Sequence, residues 1–133
     1  MERCPIVLFG EAEKGDYQKA YYCQTLPELV DILGHPPEDS RGLFYAIQAL
    51  LYQHDLFFFR VKEEGYSLSD YMYGFRLLER KDLFEQIVAI ALPGVGDREI
   101  INAVVPVCES HNSVMITSEP DLFDYLTAKK ARM

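Results

Sequence analysis

The feature that most constrains the fold of this chain is the alternation of short apolar runs with segments of helical periodicity. Three runs, at residues 5–10, 56–61 and 87–92, are apolar almost throughout. A strand that is covered on both faces has this composition, whereas a half-exposed strand alternates apolar and polar residues. Shorter runs at residues 21–24 and 113–117 complete a set of five predicted strands.

Helical patterns separate these strands. Thr25 and Glu28 have the spacing of a capping box, and Gly34 is placed to end the first helix. The second predicted helix runs from about residue 38 to residue 53. Ser67 is predicted to cap the third helix, over the apolar stripe from Leu68 to Leu78.

The fourth helical pattern follows the glycine-rich turn at residues 93–97, with Asp97 as the predicted N-cap. Pro106 lies inside this pattern, so we expect a kink or an early break near Val105. Ser118 opens the last predicted helix.

Strands that alternate with helices require a mainly parallel sheet, because right-handed crossovers place the helices on both of its faces. The predicted architecture is a three-layer α/β/α sandwich of the doubly wound, flavodoxin-like or receiver-like kind, with a mostly parallel five-stranded sheet. Residues 21–24 are its expected edge strand. The length of 133 residues fits one domain, assigned to residues 1–128, and residues 129–133 form a basic tail that is expected to fray.

The charge balance narrows the possible partners. The chain has 13 basic and 21 acidic residues, a net charge of -8, and residues 1–128 are more acidic still because three basic residues belong to the tail. Nucleic acid and anionic membranes favour clustered Lys and Arg, so neither is an expected partner. A hydrophobic content of 49% excludes a disordered chain.

Cysteine usage and the apolar runs indicate a cytoplasmic protein. Cys4, Cys23 and Cys108 are odd in number and widely spaced, with no C-x-x-C pair and no histidine at zinc-ligand spacing. Reduced thiols are the simpler interpretation, and Cys23 is the least unfavourable candidate for a catalytic thiol. No signal peptide and no stretch long enough to cross a bilayer is recognised.

Ligands of doubly wound folds bind at the carboxyl ends of the strands, where the strand order reverses. The candidate ligand-binding residues at this end are Gly10, Glu11, Gly94, Gly96, Asp97 and Ser118.

Two loops at this end have spacings that invite a phosphate-binding interpretation. Gly10 and Gly15 are spaced as in a phosphate loop, but Asp16 and Tyr17 stand where Lys and Ser or Thr belong. The turn at residues 94–97 is the better anion candidate, since it leads into a helix N-terminus. A tight turn capped by Asp97 explains the same residues.

Glu11, Glu13 and Glu64 follow strands and could converge on Mg²⁺ through water. The sequence contains no recognisable catalytic set, so we predict no catalytic residue, no resident metal and no cofactor. His35, His54 and His111 fall at helix ends or in loops, where they stabilise helix termini without a catalytic role.

The element order and the final strand-loop-helix segment at residues 116–120 resemble those of phosphoacceptor receiver domains. Such a domain has an acceptor Asp at the end of its third strand, where this chain has Arg60 or Lys62. The Lys that precedes the final proline is replaced by Glu119, and Leu92 with the following proline replaces the Ser or Thr after the fourth strand. The resemblance implies a similar fold without phosphorylation chemistry.

The nine tyrosines exceed what a core of this size requires, and most of them, Tyr45 included, are expected to be partly exposed. Tyr17, Tyr21 and Tyr22 lie along the loop and the edge strand, where they would pair with another chain or cover seams between helices and the sheet.

Two hypotheses about function remain. The first is a non-enzymatic interaction or regulatory domain that forms a homodimer or binds a protein partner. The second is a small-molecule, nucleotide or divalent-ion binder, or a minor enzyme, that uses the crevice between Gly10 and the turn at residues 94–97.

Overall fold

A computed structural model describes residues 5–131 and confirms the three-layer α/β sandwich. The strands are β1 (Ile6–Gly10), β2 (Ala20–Cys23), β3 (Leu56–Arg60), β4 (Ala89–Ala91) and β5 (Val114–Ile116). The helices are α1 (Leu26–Leu33), α2 (Gly42–Leu51), α3 (Leu68–Leu78), α4 (Arg98–His111) and α5 (Glu119–Ala131). The sheet order is β2-β3-β1-β4-β5, which puts the wholly buried β1 at its centre.

Four of the strands are parallel, and β2 alone runs antiparallel, against β3. The loop that leaves the carboxyl end of β1 enters β2 without an intervening helix. It therefore has no crossover to carry the chain back to the other end of the sheet, and β2 runs in the opposite direction. The predicted edge position of this strand is confirmed.

The two faces of the sheet carry separate apolar clusters. Ile6 and Leu8 of β1 pack with α1, α2 and α5, whereas Val7 and Phe9 pack with α3 and α4. Successive side chains of a strand point to opposite faces, so a strand between two helical layers is apolar at every position. This explains the uninterrupted apolar runs in the sequence.

The capping box of α1 is confirmed: the Thr25 side chain accepts from the Glu28 amide, and the Glu28 carboxylate accepts from the Thr25 amide. Ser67 occupies the N-cap position of α3 as predicted, but its hydroxyl makes no capping bond and instead donates to the Glu63 carbonyl at 3.0 Å. Tyr45 is also buried rather than exposed, since it lies on the inner face of α2.

Helix α2 begins later than predicted, at Gly42 rather than near residue 38. The Ser40 hydroxyl donates to the Pro37 carbonyl at 2.7 Å, which holds residues 37–40 in a turn. The break expected near Val105 is absent, and α4 continues through Pro106. Pro106 and Asn102, one turn before it, are both exposed, so water can satisfy the carbonyl that the proline leaves without a donor.

Within residues 5–131, no helix is both long and apolar enough to cross a membrane. Helix α5 extends to Ala131, so part of the predicted basic tail is helical, while residues 132–133 lie outside the described range. Cys4 also lies outside it. The assignment of residues 1–128 to a single domain stays a prediction.

Candidate functional site at the carboxyl ends of the strands

The carboxyl ends of β1, β3 and β4 lie side by side, with Gly10 opposite Arg60 and Leu8 opposite Ala91. The chain passes from β1 to β3 on one side and later to β4 on the other, so the strand order reverses at β1. This is the position at which doubly wound folds bind ligands. The loops that meet here span residues 11–19, 61–67 and 92–97.

The centre of this site is the Glu64 carboxylate, which lies against the N-terminus of α2. Its Oε1 accepts from the Gly42 amide at 2.7 Å and its Oε2 accepts from the Arg41 amide at 2.8 Å. Arg41 occupies the N-cap position, and its own side chain makes no capping bond. Glu64 thus caps a helix that begins 22 residues earlier in the chain.

Two glycines make room for this contact. A Cβ built on Gly10 would lie 2.6 Å from the Gly42 Cα and 2.8 Å from Oε1 of Glu64. A Cβ on Gly42 would meet the Gly10 Cα at 2.7 Å. Any side chain at either position would separate α2 from the end of β1, so Gly10 serves close packing here.

Glu11 and Glu64 are joined by reciprocal backbone contacts. The Glu11 amide donates to Oε1 of Glu64 at 3.0 Å, and the Glu64 amide donates to Oε2 of Glu11 at 2.9 Å. Burial raises the pKa of Glu64, the three backbone donors oppose this shift, and the nearby charge of Glu11 adds to it. The three backbone donors therefore hold this carboxylate at the helix N-terminus against a desolvation cost.

The expected convergence of three carboxylates occurs only in part. Glu11 and Glu64 meet, whereas Glu13 accepts from the His35 amide at 2.9 Å, beyond the end of α1. Across residues 5–131, no cluster of three or more His, Cys, Asp or Glu residues has an arrangement that could hold a metal ion.

The loop at residues 61–67 crosses the end of the sheet and contacts the turn after β4. Gly65 has a φ of +87°, and a Cβ on it would collide with the Gly94 carbonyl. The buried Tyr71 hydroxyl accepts from the Gly65 amide at 2.8 Å, and the buried Asp70 carboxylate accepts from the Lys62 amide at 2.9 Å. Burial raises the pKa of Tyr71, which keeps its hydroxyl neutral. Two side chains of α3 therefore hold the loop at residues 61–67 in place through its backbone amides.

The remaining candidate ligand residues lie at the same end of the sheet. Asp97 Oδ1 accepts from the Glu99 amide at 2.7 Å, so the predicted cap is present, and Gly96 borders open space. Ser118 Oγ accepts from the Asp121 amide at 3.3 Å at the start of α5. A ligand-binding role for the turn at residues 94–97 stays a prediction.

The three candidate interface tyrosines have contacts within the chain. The Tyr22 ring packs on Phe57 and its hydroxyl donates to Asp55. The Tyr21 hydroxyl accepts from the Asp16 amide at 2.7 Å. These contacts orient the rings, and Tyr22 is still 45% exposed.

A cationic group covers Tyr17, which is 39% exposed. The Arg60 guanidinium lies 4.4 Å from the centre of its ring, and the Lys62 ammonium lies 5.7 Å from it. Arg60 also donates to the Gly15 carbonyl, which fixes the loop at residues 11–19 beside β3. Cation–aromatic contacts of this kind hold a ring in place at a solvent-exposed surface.

The described cysteines are poor nucleophiles. Burial raises the pKa of Cys23 to about 11, and burial also raises the pKa of Cys108. A thiol with a raised pKa forms little thiolate at neutral pH. This geometry gives no support to the minor hypothesis of a catalytic Cys23.

Sequence reasoning placed Glu64 at the strand ends but missed its role and that of Gly42. One signal was present: Arg41 and Gly42 form a helix start without a side chain suited to capping it.

No protein-family model, curated protein or solved structure matches this chain.

Proposed function

We propose that this chain is a non-enzymatic interaction domain that self-associates or binds a protein partner through its surface. The observation that carries the proposal is the Glu64 carboxylate on the N-terminus of α2, where a doubly wound fold would offer its backbone donors to a ligand. With Gly65 against Gly94 as well, the chain itself occupies the crevice.

The surface proposed for self-association is the edge strand β2 with the loop before it. Tyr17 and Tyr22 are exposed there and are held by contacts within the chain, so little side-chain freedom is lost on association. Arg60 and Lys62 supply positive charge beside the Tyr17 ring, and Lys19 supplies it beside Tyr21. An otherwise acidic second copy offers the complementary charge.

We further propose that the protein is a single domain and acts in the cytoplasm. Cys23 and Cys108 are buried free thiols, as expected in a reducing compartment. The net charge of -8 agrees with a protein partner rather than nucleic acid.

A thermal-shift experiment tests the occupied crevice. The panel contains ATP, GTP, a sugar phosphate, Mg²⁺ and Ca²⁺, and we expect no change in the Tm of the wild-type protein. A ligand at one hundred times its Kd would add about 2.7 kcal/mol, or about 10 °C in a domain of this size. Such a shift would refute the proposal in favour of a ligand-binding crevice.

Sedimentation tests the association. We expect a dimer at micromolar concentration that the double variant Tyr17→Ser, Tyr22→Thr converts to monomer. Phe123→Ser is the matched control, since Phe123 is a similarly exposed aromatic residue on α5. A monomeric wild-type protein would refute self-association through β2.

A further inference from the structure

A second candidate interaction surface lies at the opposite edge of the sheet, along β5. A groove of about 390 Å³ follows this edge and is lined by the C-terminal half of α4, by the turn after it and by β5. We call it the edge groove, and its lining residues are Val105, Cys108, Glu109, Asn112, Ser113, Val114 and Met115. It is separate from the crevice and from β2.

Backbone groups of β5 face outwards beside this groove. The Val114 amide donates to the Val88 carbonyl at 3.1 Å, and the Leu92 amide donates to the Ile116 carbonyl at 2.8 Å. Val114 and Ile116 therefore bond towards β4. Because successive residues of a strand bond to opposite sides, the N–H and C=O of Met115 point away from the sheet.

The edge strand β5 is short, with three residues, but it lacks the charged residue or proline that often keeps an edge unpaired. Residues 113–117 contain no charged residue and no proline, and Val114 is 50% exposed. Edge strands that must stay unpaired are generally very short or carry lysine, proline or a bulge, and β5 has only the first of the sequence-readable features, its shortness. An apolar, uncharged edge next to a groove is the arrangement that receives an added strand, with backbone bonds at the edge and side chains in the groove.

The acidic charge in the edge groove indicates the kind of segment that would bind there. Glu109 is exposed in its wall, and none of the lining residues is basic. We propose that the edge groove binds an extended segment of a partner protein that alternates apolar and basic residues and pairs with β5. The apolar residues enter the groove beside Val105 and Cys108, and a basic residue meets Glu109.

The probe is an acetylated eight-residue peptide of alternating valine and lysine, titrated into the full-length protein. Amide resonances followed by NMR should move at Met115 and Thr117, the residues whose N–H groups face outwards. A peptide of alternating valine and glutamate should bind about fivefold more weakly, from the loss of one exposed ion pair. The valine–lysine peptide N-methylated at alternate residues should not bind, because it cannot form the strand bonds.

Glu109→Lys tests the charge preference at a solvent-exposed position near the end of α4, where a cation does not disturb the helix. This variant should prefer the valine–glutamate peptide. Glu38→Lys makes the same change of net charge at an exposed residue before α2 and should keep the wild-type preference.

No saturable shift at Met115 and Thr117 up to about 1 mM peptide, the concentration that corresponds to a free energy of about -4 kcal/mol, would overturn the proposal. Equal loss of binding in Glu38→Lys and Glu109→Lys would also overturn it, since attraction would then be to the whole acidic surface. Sedimentation reports separately on β2, so failure of this inference is distinguishable from failure of the proposed function.

Discussion

Removal of the Glu64 side chain should destabilise the fold, because this carboxylate accepts hydrogen bonds from three backbone amides at the carboxyl ends of the strands. In Glu64→Ala, the amides of Gly42, Arg41 and Glu11 lose their acceptor. The Gly42 amide is buried, and a buried donor without a partner costs about 1–3 kcal/mol. The other two amides lie nearer to water and lose less. We expect a total loss of about 3 kcal/mol in the free energy of unfolding.

Glu64→Gln separates the hydrogen bonds from the charge. Its amide oxygen can still accept from Gly42 and Glu11, whereas its NH₂ group faces the Arg41 amide. The neutral side chain also avoids the desolvation cost that raises the pKa of Glu64. We therefore expect a smaller loss than in Glu64→Ala, about 1 kcal/mol.

Urea unfolding at pH 7 measures both variants, and Glu63→Ala is the matched control. Glu63 is the exposed neighbour of Glu64 in the same loop, so its replacement should change stability by less than about 0.5 kcal/mol. A loss below about 1 kcal/mol in Glu64→Ala with an unchanged m value would refute the capping role of this carboxylate.

The same pair of proteins gives a pH dependence with a defined sign. The folded-state pKa of Glu64 is raised above its ordinary value of 4.5, so between these two values the folded protein binds more protons than the unfolded chain. Stability from this group is therefore fully present below pH 4.5 and is lost as the pH rises through the folded pKa. The stability of the wild type relative to Glu64→Gln should increase as the pH is lowered from 7 towards 4.5. A constant difference would contradict the raised pKa.

Three further predictions concern glycine packing, a helix cap and a buried thiol. Gly10→Ala should lower the free energy of unfolding by more than about 2 kcal/mol, because the new methyl group meets the Gly42 Cα. Gly96→Ala is the control: its methyl group would enter open space, so urea unfolding should show a change of less than about 1 kcal/mol. Thr25→Ala should lose about 1 kcal/mol in thermal unfolding with the loss of the capping box, and Thr25→Ser should retain most of it. Cys23, with its pKa raised to about 11, should resist alkylation by iodoacetamide at pH 8 in the native protein and should react after unfolding. Peptide mass spectrometry measures the alkylated fraction. Rapid alkylation of the native protein would contradict the burial of this thiol.

Features that depend on neighbours in sequence were predictable. The apolar runs of β1, β3 and β4 indicated a sheet covered on both faces, because every residue of a two-faced strand must be apolar. Thr25 with Glu28, and Asp97 with the amides after it, form their caps within three residues. Such local chemistry is present in the sequence itself.

Features that depend on distant segments were not predictable in the same way. The start of α2 is set by a carboxylate from another loop, so no local capping pattern marks it. Without a local capping residue to mark the start of α2, the sequence pattern predicted a start near residue 38, which is too early. Ser67 shows the converse case: its hydroxyl had two possible partners, and a loop carbonyl took the place of the helix amides.

The acidic charge at the carboxyl ends of the strands illustrates why this distinction matters for function. From the sequence alone, Glu11 and Glu64 are surplus negative charge that would attract a cation. In the structure, both carboxylates accept backbone amides, and Glu64 neutralises the positive end of α2. The same carboxylates that suggest cation binding in the sequence therefore accept backbone hydrogen bonds in the structure, and a ligand-binding role for Glu11 stays a prediction. The two edges of the sheet, with Tyr17 and Tyr22 near one and Met115 at the other, are therefore the surfaces at which we propose that another chain binds.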